Sequence, residues 1–259
     1  SGGSPFIPTL QADYKRKFKT GTLTSGVKLT YRRNDIYHRF YALADDEWVY
    51  SESMSNDLLH TELVPAAYAM FASRIGKKFT YKAGIRGEFS TVTLRSRHEA
   101  IDGRENCFFL APSLSGSYVV SDNQELSMAV SRRIGRPSYP QLNPYMSMLD
   151  ATTYEQGNMN LQAEKATLLD VSYQLRWKSV SLFANAYVNR TEGYISQITK
   201  MDDGKLITTY VNADKDVKAG LDLSLGVTPV QWMSLSLGAN TYHVSTKGKY
   251  EGADIANNG

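Results

Sequence analysis

Strict alternation of apolar and polar residues over long segments is the feature that most constrains this fold. In residues 217–228, VKAGLDLSLGVT, every odd position is apolar and every even position is small or polar. A period of two places successive side chains on opposite faces of a β-strand, and it does not fit the 3.6-residue period of a helix. The same pattern recurs in residues 22–33, 78–91 and 166–178. The sequence therefore predicts an all-β chain.

The predicted strands are long, and their polar faces carry charge. Strands of globular proteins usually have about 5–6 residues, whereas a strand that crosses a membrane needs about 9–11. Charged residues are unsuitable for the core of a β-sandwich, but they suit a water-filled lumen. The residues expected to face lipid are Leu221, Leu223, Leu225, Val171, Tyr173 and Leu175. Those expected to line the lumen are Asp222, Ser224, Asp170 and Gln174.

The predicted connections fall into two groups. Short turns are expected at 19–21, 76–77, 121–123, 178–179 and 229–230. Long links are expected at 41–58, 95–106 and 135–163, while 202–204 is a tight turn between strands that project past the membrane. Short turns at one rim and long loops at the other are typical of outer-membrane barrels. The prediction is an antiparallel up-and-down transmembrane β-barrel segment of about ten long strands.

Composition limits the remaining function classes. The net charge of +3 is too small to indicate nucleic acid, and the single cysteine, Cys107, excludes an intrachain disulfide. The four histidines lack the spacing of a metal site, and Asp45, Asp46 and Glu47 read as solvated loop acids. The chain has neither a phosphate-binding loop nor a nucleophile elbow. The sequence thus predicts no catalytic, cofactor-binding or metal-binding residues.

The segment SRRIGRPSYPQLNPY, residues 131–145, follows an alternating strand and contains three arginines and three prolines. Arginine sits without a desolvation cost where a strand reaches the aqueous rim, and proline ends strand pairing because it lacks an N–H donor. Tyr139 and Tyr145 are expected in an interfacial aromatic belt. The segment is therefore predicted to begin a loop at the barrel rim.

This segment and YEQGNMNLQAE, residues 154–164, resemble the outer-membrane β-barrel region of TonB-dependent receptors. The motifs are R-x-x-R-P-x-Y-x-Q-L-N-P-[FY] and G-N-x-x-L-x-x-E, with Met159 where that family usually has proline. The structural signature residues are Arg133, Arg136, Pro137, Gln141, Asn143, Pro144, Gly157, Asn158 and Glu164, and Tyr139, Leu142, Tyr145 and Leu161 complete the match. Further segments also resemble this family and occur in the same order along the chain, at 60–71, 81–89, 108–118 and 184–199.

The resemblance leaves three roles open for the loop. These roles are shaping of the barrel rim, contact with a plug domain, and direct binding of the ligand. The candidate residues for ligand binding are Arg132, Arg133, Arg136, Tyr139 and Tyr145.

The resemblance implies a transport function in the cell outer membrane. Residues 1–259 are expected to form part of one outer-membrane β-barrel domain without a plug domain. The full receptor would take up a scarce solute, such as a siderophore, cobalamin, glycan or peptide. Its expected partners are outer-membrane lipid, the plug domain of the same receptor, the TonB energy-coupling complex reached through an N-terminal part, and a surface lipoprotein, but not nucleic acid.

Family barrels close with more strands than this chain supplies. The first strand (about residues 6–18) and the last strand (about residues 231–246) are therefore expected not to pair with each other. Two alternatives stay open from the sequence. An outer-membrane barrel enzyme, such as a lipase or protease, requires a Ser–His pair at one rim, and a secreted β-sandwich binding module turns its apolar faces inward.

Overall fold

A computed structural model describes residues 2–44, 46–96, 102–150, 152–250 and 253–258, which form one sheet and one short helix. The elements are β1 (Gly2–Phe6), β2 (Thr9–Lys17), β3 (Thr22–Ala44), β4 (Glu47–Ile75), β5 (Phe79–Ser96), β6 (Asp102–Ser121), β7 (Gln124–Gly135), α1 (Tyr139–Leu142), β8 (Met146–Met148), β9 (Thr153–Gln156), β10 (Glu164–Trp177), β11 (Val180–Asp202), β12 (Lys205–Val230), β13 (Met233–Tyr250) and β14 (Ala253–Asn258). The predicted all-β chain is confirmed. Among the described residues, no helix has the length and apolar character needed to cross a membrane.

Ten of the fourteen strands in the described ranges have nine or more residues, in line with the predicted number of long strands. The other four, β1, β8, β9 and β14, are short strands that the sequence does not predict. They are additions at the ends of the chain and within one long link, and they leave the order of the long strands unchanged.

The long strands follow one another in an antiparallel meander. The order is β1-β3-β4-β5-β6-β7-β10-β11-β12-β13-β14, with β2 also paired to β3. The exception to antiparallel pairing among the described strands is β9, which runs parallel to β12 at Leu206–Thr208. Within the described part of the chain, no ladder joins β1 or β2 to β13 or β14. The sheet is therefore open, as expected for the first and last strands.

Short turns follow β2, β4, β6, β10 and β12, as predicted. The turn predicted at 229–230 is wrong by two residues: it lies at 231–232, because a register shift lets Val230 pair with Met233. The predicted tight turn at 202–204 is confirmed. Asp203 and Gly204 have φ of 45° and 73°, which suits a two-residue hairpin turn.

The long link predicted at 41–58 is wrong. Strands β3 and β4 stay paired up to Ala44 and Glu47, with one irregularity at His38/Phe40. Tyr41 and Tyr50 lie directly opposite each other and their rings are 5.6 Å apart, a cross-strand aromatic contact that favours the hairpin.

The link predicted at 95–106 is also shorter than expected, because Arg95 pairs with Asp102. Residues 97–101 lie outside the described residues. The link predicted at 135–163 is confirmed as a long connection between β7 and β10, and it contains α1, β8 and β9.

The sheet has an apolar outer face and a polar inner face. One cross-strand row on the outer face runs through Leu223, Ala184, Tyr173, Leu126, Tyr118 and Phe79. The row beside it on the inner face runs through Asp222, Asn185, Ser172, Ser127, Ser117 and Thr80. Leu221 and Leu223 are each 50% exposed. An exposed apolar face on a single sheet contradicts the β-sandwich alternative, because two sheets of a sandwich bury such faces against each other.

A cluster of buried leucines, called the buried core below, lies on the inner face near the rim at which β7 ends. Its members are Leu58, Leu94, Leu142 and Leu161. Leu58 and Leu94 belong to the wall strands β4 and β5, whereas Leu142 and Leu161 belong to the connection between β7 and β10. Residues 136–163, called the inner loop below, therefore fold back against the inner wall.

Candidate functional site at the inner wall

The inner loop begins with an arginine that is bound by two glutamates of the wall. Arg136 Nε lies 3.1 Å from Oε1 of Glu62, and Arg136 Nη2 lies 2.7 Å from Oε2 of Glu88. Arg32 Nη1 is 2.9 Å from the other oxygen of Glu62, and Arg86 Nε is 2.5 Å from the other oxygen of Glu88. The five side chains form a chain of alternating charge across β3, β4, β5 and the loop.

The centre of this ion chain is shielded from water. The side chain of Glu62 is 4% exposed and that of Arg136 is 19% exposed. A buried charge is strongly unfavourable unless it is paired, so each carboxylate needs its arginines. The prediction that Arg136 sits in water at the rim is therefore wrong, because its charge is neutralised by Glu62 and Glu88 rather than by solvent.

The ion chain borders a cavity of about 230 Å³ beneath the start of the inner loop. His60, Glu105 and Tyr139 line it together with the ion chain. His60 is buried, and its Nδ1 atom has no hydrogen-bond partner among the described residues. The cavity is thus enclosed by wall and loop side chains of both charges.

The motif residues after Arg136 form one helical turn. The side-chain oxygen of Gln141 accepts hydrogen bonds from the backbone N–H and the hydroxyl of Ser138, at 2.8 and 2.9 Å. Pro140 lies in the first turn of α1, where the absence of an N–H donor costs no hydrogen bond. Leu142 extends from this turn into the buried core.

The end of the inner loop is hydrogen-bonded back onto its beginning. Gly157 and Asn158 donate their backbone N–H groups to the carbonyl oxygens of Asn143 and Gln141, each at 2.7 Å. The side chain of Asn158 donates to the carbonyl oxygen of Tyr210 on β12, at 3.0 Å. The GN dipeptide thus joins the two halves of the loop and ties them to the wall.

Substituting Gly157 with alanine is expected to loosen the inner loop. A Cβ atom at this position would lie 2.6 Å from the backbone N and O atoms of Asn143 and from O of Gln141. Overpacking of this kind costs about 1–3 kcal/mol. Hydrogen exchange should show faster exchange of the Asn158 amide in G157A. The control G238A should leave that rate unchanged, since the nearest atom to a new Cβ there is 4.0 Å away.

Tyr139 and Tyr145 lie against the buried core rather than in an interfacial belt. Both pack on the cluster that contains Leu142, and the hydroxyls of Tyr145 and Ser96 are 2.6 Å apart. The prediction of an aromatic belt at these two positions is therefore wrong. The loop turns inward, so these tyrosines meet wall and loop side chains instead of lipid head groups.

The inner loop is expected to detach at high pH. Burial, with a smaller contribution from Tyr145, raises the pKa of Tyr139 from 10.0 to about 12. In the unfolded chain Tyr139 loses its proton at a lower pH than in the folded protein. Its contribution to the stability of the fold is therefore complete below pH 10 and is lost between pH 10 and 12. A nitroxide label at exposed Leu149, introduced as L149C in a C107S background, should become more mobile in that range. In Y139F the label should stay immobile, and equal mobility in both proteins would contradict the assignment.

The other motif residues differ in their surroundings. The Arg132 guanidinium lies 5.7 Å from the centre of the Phe109 ring, whereas Arg133 is exposed and lies opposite Ala166. Glu164 begins β10 and accepts a hydrogen bond from the backbone N–H of Ile195, at 2.6 Å. Pro137 lines the cavity, and the Pro144 carbonyl accepts a hydrogen bond from the Gln156 side chain, at 2.9 Å.

Of the five candidate ligand-binding residues, the structure brings Arg136, Tyr139 and Tyr145 together around the buried core and the cavity. Arg132 and Arg133 do not reach the ion chain among the described contacts. The sequence analysis does not connect Glu62 or Arg32 with the motif. The sequence feature that could have identified them is a pair of opposite charges on the polar faces of two neighbouring strands, because Arg32 lies directly opposite Glu62.

Metal binding has no support among the described residues, which contain no group of three His, Cys, Asp or Glu able to hold a metal ion. Two residues considered from the sequence, Asp45 and His98, lie outside the described residues. His243 is exposed on β13, away from the inner loop.

Comparison with known proteins agrees with this geometry. The profile of the Outer membrane protein beta-barrel family matches residues 6–259. The copper transporter OprC superimposes with a TM-score of 0.69 at 12% identity over 96% of this chain, and the ferric-catecholate import receptor Fiu of E. coli K12 with 0.68 at 15% over 94%. The ferric yersiniabactin uptake receptor FyuA of Yersinia pestis gives 0.60 at 16% over 94%. Among curated proteins, a sequence search finds no significant match.

The chain therefore belongs to the outer membrane protein β-barrel family, and it is located in the cell outer membrane. Its fold is that of the barrels of these transporters and receptors, as the sequence resemblance implies. It spans 43%, 38% and 35% of the three structures, so it corresponds to less than half of each.

Proposed function

We propose that this chain forms part of the barrel wall of an energy-coupled outer-membrane receptor that takes up a scarce solute. The observation that carries the proposal is the inner loop, which folds from the rim onto a polar inner wall and is held there by paired charges. Large barrels enclose a wide aqueous lumen, so a solute-selective barrel needs elements that narrow it. An inward loop is such an element. A ring of solvated outer loops alone would leave the lumen wide.

The signature residues are proposed to be structural. Arg136, Gln141, Gly157 and Asn158 use their polar groups to hold the loop on the wall or to close it on itself. Tyr139 and Tyr145, which pack on the buried core, then affect solute uptake through the shape of the loop. The proposed partners are the plug domain of the same receptor inside the lumen and the TonB energy-coupling complex, together with outer-membrane lipid.

The proposed solute belongs to one of four classes: siderophore, cobalamin, glycan or peptide. The solved structures of similar fold are described as a transporter of copper and as receptors for iron complexes, which supports uptake rather than catalysis. A second function, such as a barrel lipase or protease, has no specific observation in its favour.

The proposal is tested by uptake in cells that lack the gene. Accumulation of an ⁵⁵Fe-loaded catecholate siderophore, ⁵⁷Co-cobalamin, a labelled oligosaccharide and a labelled oligopeptide is measured in wild-type, deletion and TonB-depleted cells. One of the four should accumulate less in both the deletion and the depleted cells. A protein present in the outer membrane whose loss changes none of the four would contradict the proposal.

A further inference from the structure

The inner loop adds a small branch of two strands to the sheet, at the start of β12. Residues 206–208 of β12 pair in parallel with residues 153–155 of β9, and β9 pairs with Met146–Met148, which form β8. The described residues show no ladder on the far side of β8. Residue 208 is nine positions, or about 30 Å of strand, from Val217, where the apolar run of β12 begins. β8 is therefore an edge strand at the rim, outside the apolar band.

The free edge of β8 presents two backbone donors and two backbone acceptors. Leu149 donates its N–H to the carbonyl oxygen of Thr153, at 2.9 Å, and this bond continues the register of the β8–β9 ladder. The direction of the backbone groups alternates along an antiparallel strand, so Ser147 also points toward β9. The N–H and C=O groups of Met146 and Met148 consequently point away from β9. The described backbone hydrogen bonds outside the ladders include none from these two residues.

The sequence of β8 carries no residue that protects this edge. Natural sheet edges are guarded by lysine, proline, a bulge or an inward charge, whereas β8 reads Met-Ser-Met. Met146 and Met148 are 39% and 41% exposed, and Leu149 beside them is 61% exposed. The two methionines share one face of the strand, and a flexible thioether side chain adapts to partners of different shape. The edge thus combines free backbone groups with adaptable apolar side chains.

We propose that β8 binds an extended peptide as an added strand, so that the solute of the receptor is a peptide. The inference rests on the proposed function and selects one of its four solute classes. A peptide repeats N–H and C=O groups at the spacing of a strand, and pairing with a sheet edge gives affinity through the main chain. Siderophores, cobalamin and glycans lack this repeat. Met146 and Met148 then contact alternate side chains of the bound peptide.

A further wall strand of the receptor fits β8 less well than a peptide. The long strands of the meander have nine or more residues, and the meander has its own edges at β1, β2 and β14. β8 has three residues, and it is separated from the wall by β9, which breaks the antiparallel order. An edge with so few hydrogen-bonding groups suits a ligand that is bound and then released.

The first test compares two peptide pools on the full-length wild-type protein in neutral detergent, with binding measured by fluorescence polarisation. One pool contains dye-labelled hexapeptides with valine, threonine, tyrosine, lysine and glutamate in equal proportion at every position. The matched pool has the same side chains but is N-methylated at every peptide bond, which removes its backbone donors. The unmodified pool is expected to bind at least about 10-fold more tightly than the methylated pool, because only its members can pair with an edge.

The second test removes the donor from the protein. M148P deletes the outward N–H of β8 and keeps the bonds to β9, and proline is tolerated on an edge strand where its nitrogen faces solvent. M148A is the matched control, since it removes the same side chain and keeps the N–H. The unmodified pool should bind M148P about 10-fold more weakly than M148A. Equal hydrogen-exchange protection of the Leu149 amide in both variants checks that β8 and β9 remain paired.

Equal binding of the two pools by the wild type, or equal binding of the unmodified pool by M148P and M148A, would overturn the proposal. Failure of the wild type to bind either pool would do the same. In the full-length protein without peptide, exchange of the Met148 amide as slow as that of Leu149 would show that another segment of the receptor covers β8. Uptake that depends on the gene for ⁵⁷Co-cobalamin but not for the labelled oligopeptide would refute this inference and leave the proposed function standing.

Discussion

Replacing Arg136 with alanine is expected to release the inner loop from the barrel wall. The substitution leaves Glu62 and Glu88 with one arginine each, in a place where Glu62 is 4% exposed. Removal of one partner from a buried ion pair costs about 3–5 kcal/mol. In hydrogen-exchange measurements on the protein in detergent, the amides of Gly157 and Asn158 should exchange at least ~100-fold faster, since each ~1.4 kcal/mol is a factor of ten.

Two further variants separate the ion chain from a general loss of charge. R133A removes an arginine from the same segment, and the described residues show no ion pair for it, so loop exchange should stay close to that of the wild type. The triple variant E62Q/E88Q/R136M removes all three central charges together, and it should recover most of the protection because no unpaired carboxylate remains. Fast exchange in the triple variant equal to that in R136A would show that the ion chain does not hold the loop.

The sheet could be predicted from the sequence because its signal is local. In residues 217–228 the period of two assigns each side chain to a face without any knowledge of the neighbouring strands. The turn at 202–204 was equally readable from Asp203 and Gly204, which tolerate positive φ. The sequence does not predict the hairpin at 40–51, because the acidic run at 45–47 and the irregular alternation around it favour a loop. Its stability comes from cross-strand contacts such as the one between Tyr41 and Tyr50.

The inner loop could not be placed from the sequence, because its position depends on long-range contacts. The motif itself was recognisable, but Arg136 is bound by residues 74 and 48 positions earlier in the chain, Glu62 and Glu88. An arginine near a membrane rim is expected in water, and a tyrosine there is expected at the membrane interface. Both expectations place the side chains of this segment away from the inner wall. Glu62 on β4 and Glu88 on β5 reverse this expectation, because they supply buried counter-charges that the local sequence around residue 136 does not show.

Arginine at position 223 is expected to destabilise the barrel strongly. Leu223 lies well inside the apolar run that extends from Val217 to Val227 on the outer face of β12. A charge at the middle of the lipid-facing band of a barrel costs about 2–4 kcal/mol. The free energy of unfolding of L223R, measured by denaturant titration in lipid vesicles with tryptophan fluorescence, should fall by that amount relative to the wild type.

The neighbouring substitution S224R is the matched control, because it places the same side chain one residue away on the opposite face. Ser224 lies on the polar inner face beside Asp222, whose carboxylate already accepts a hydrogen bond from Asn240. An arginine there meets water and a nearby negative charge, so the free energy of unfolding should change by about 0.5 kcal/mol or less. The difference between the two variants measures which face of β12 meets hydrocarbon. Equal losses in L223R and S224R would mean that β12 has the same surroundings on both sides, and the assignment of an outer, lipid-facing surface would then be wrong for this strand.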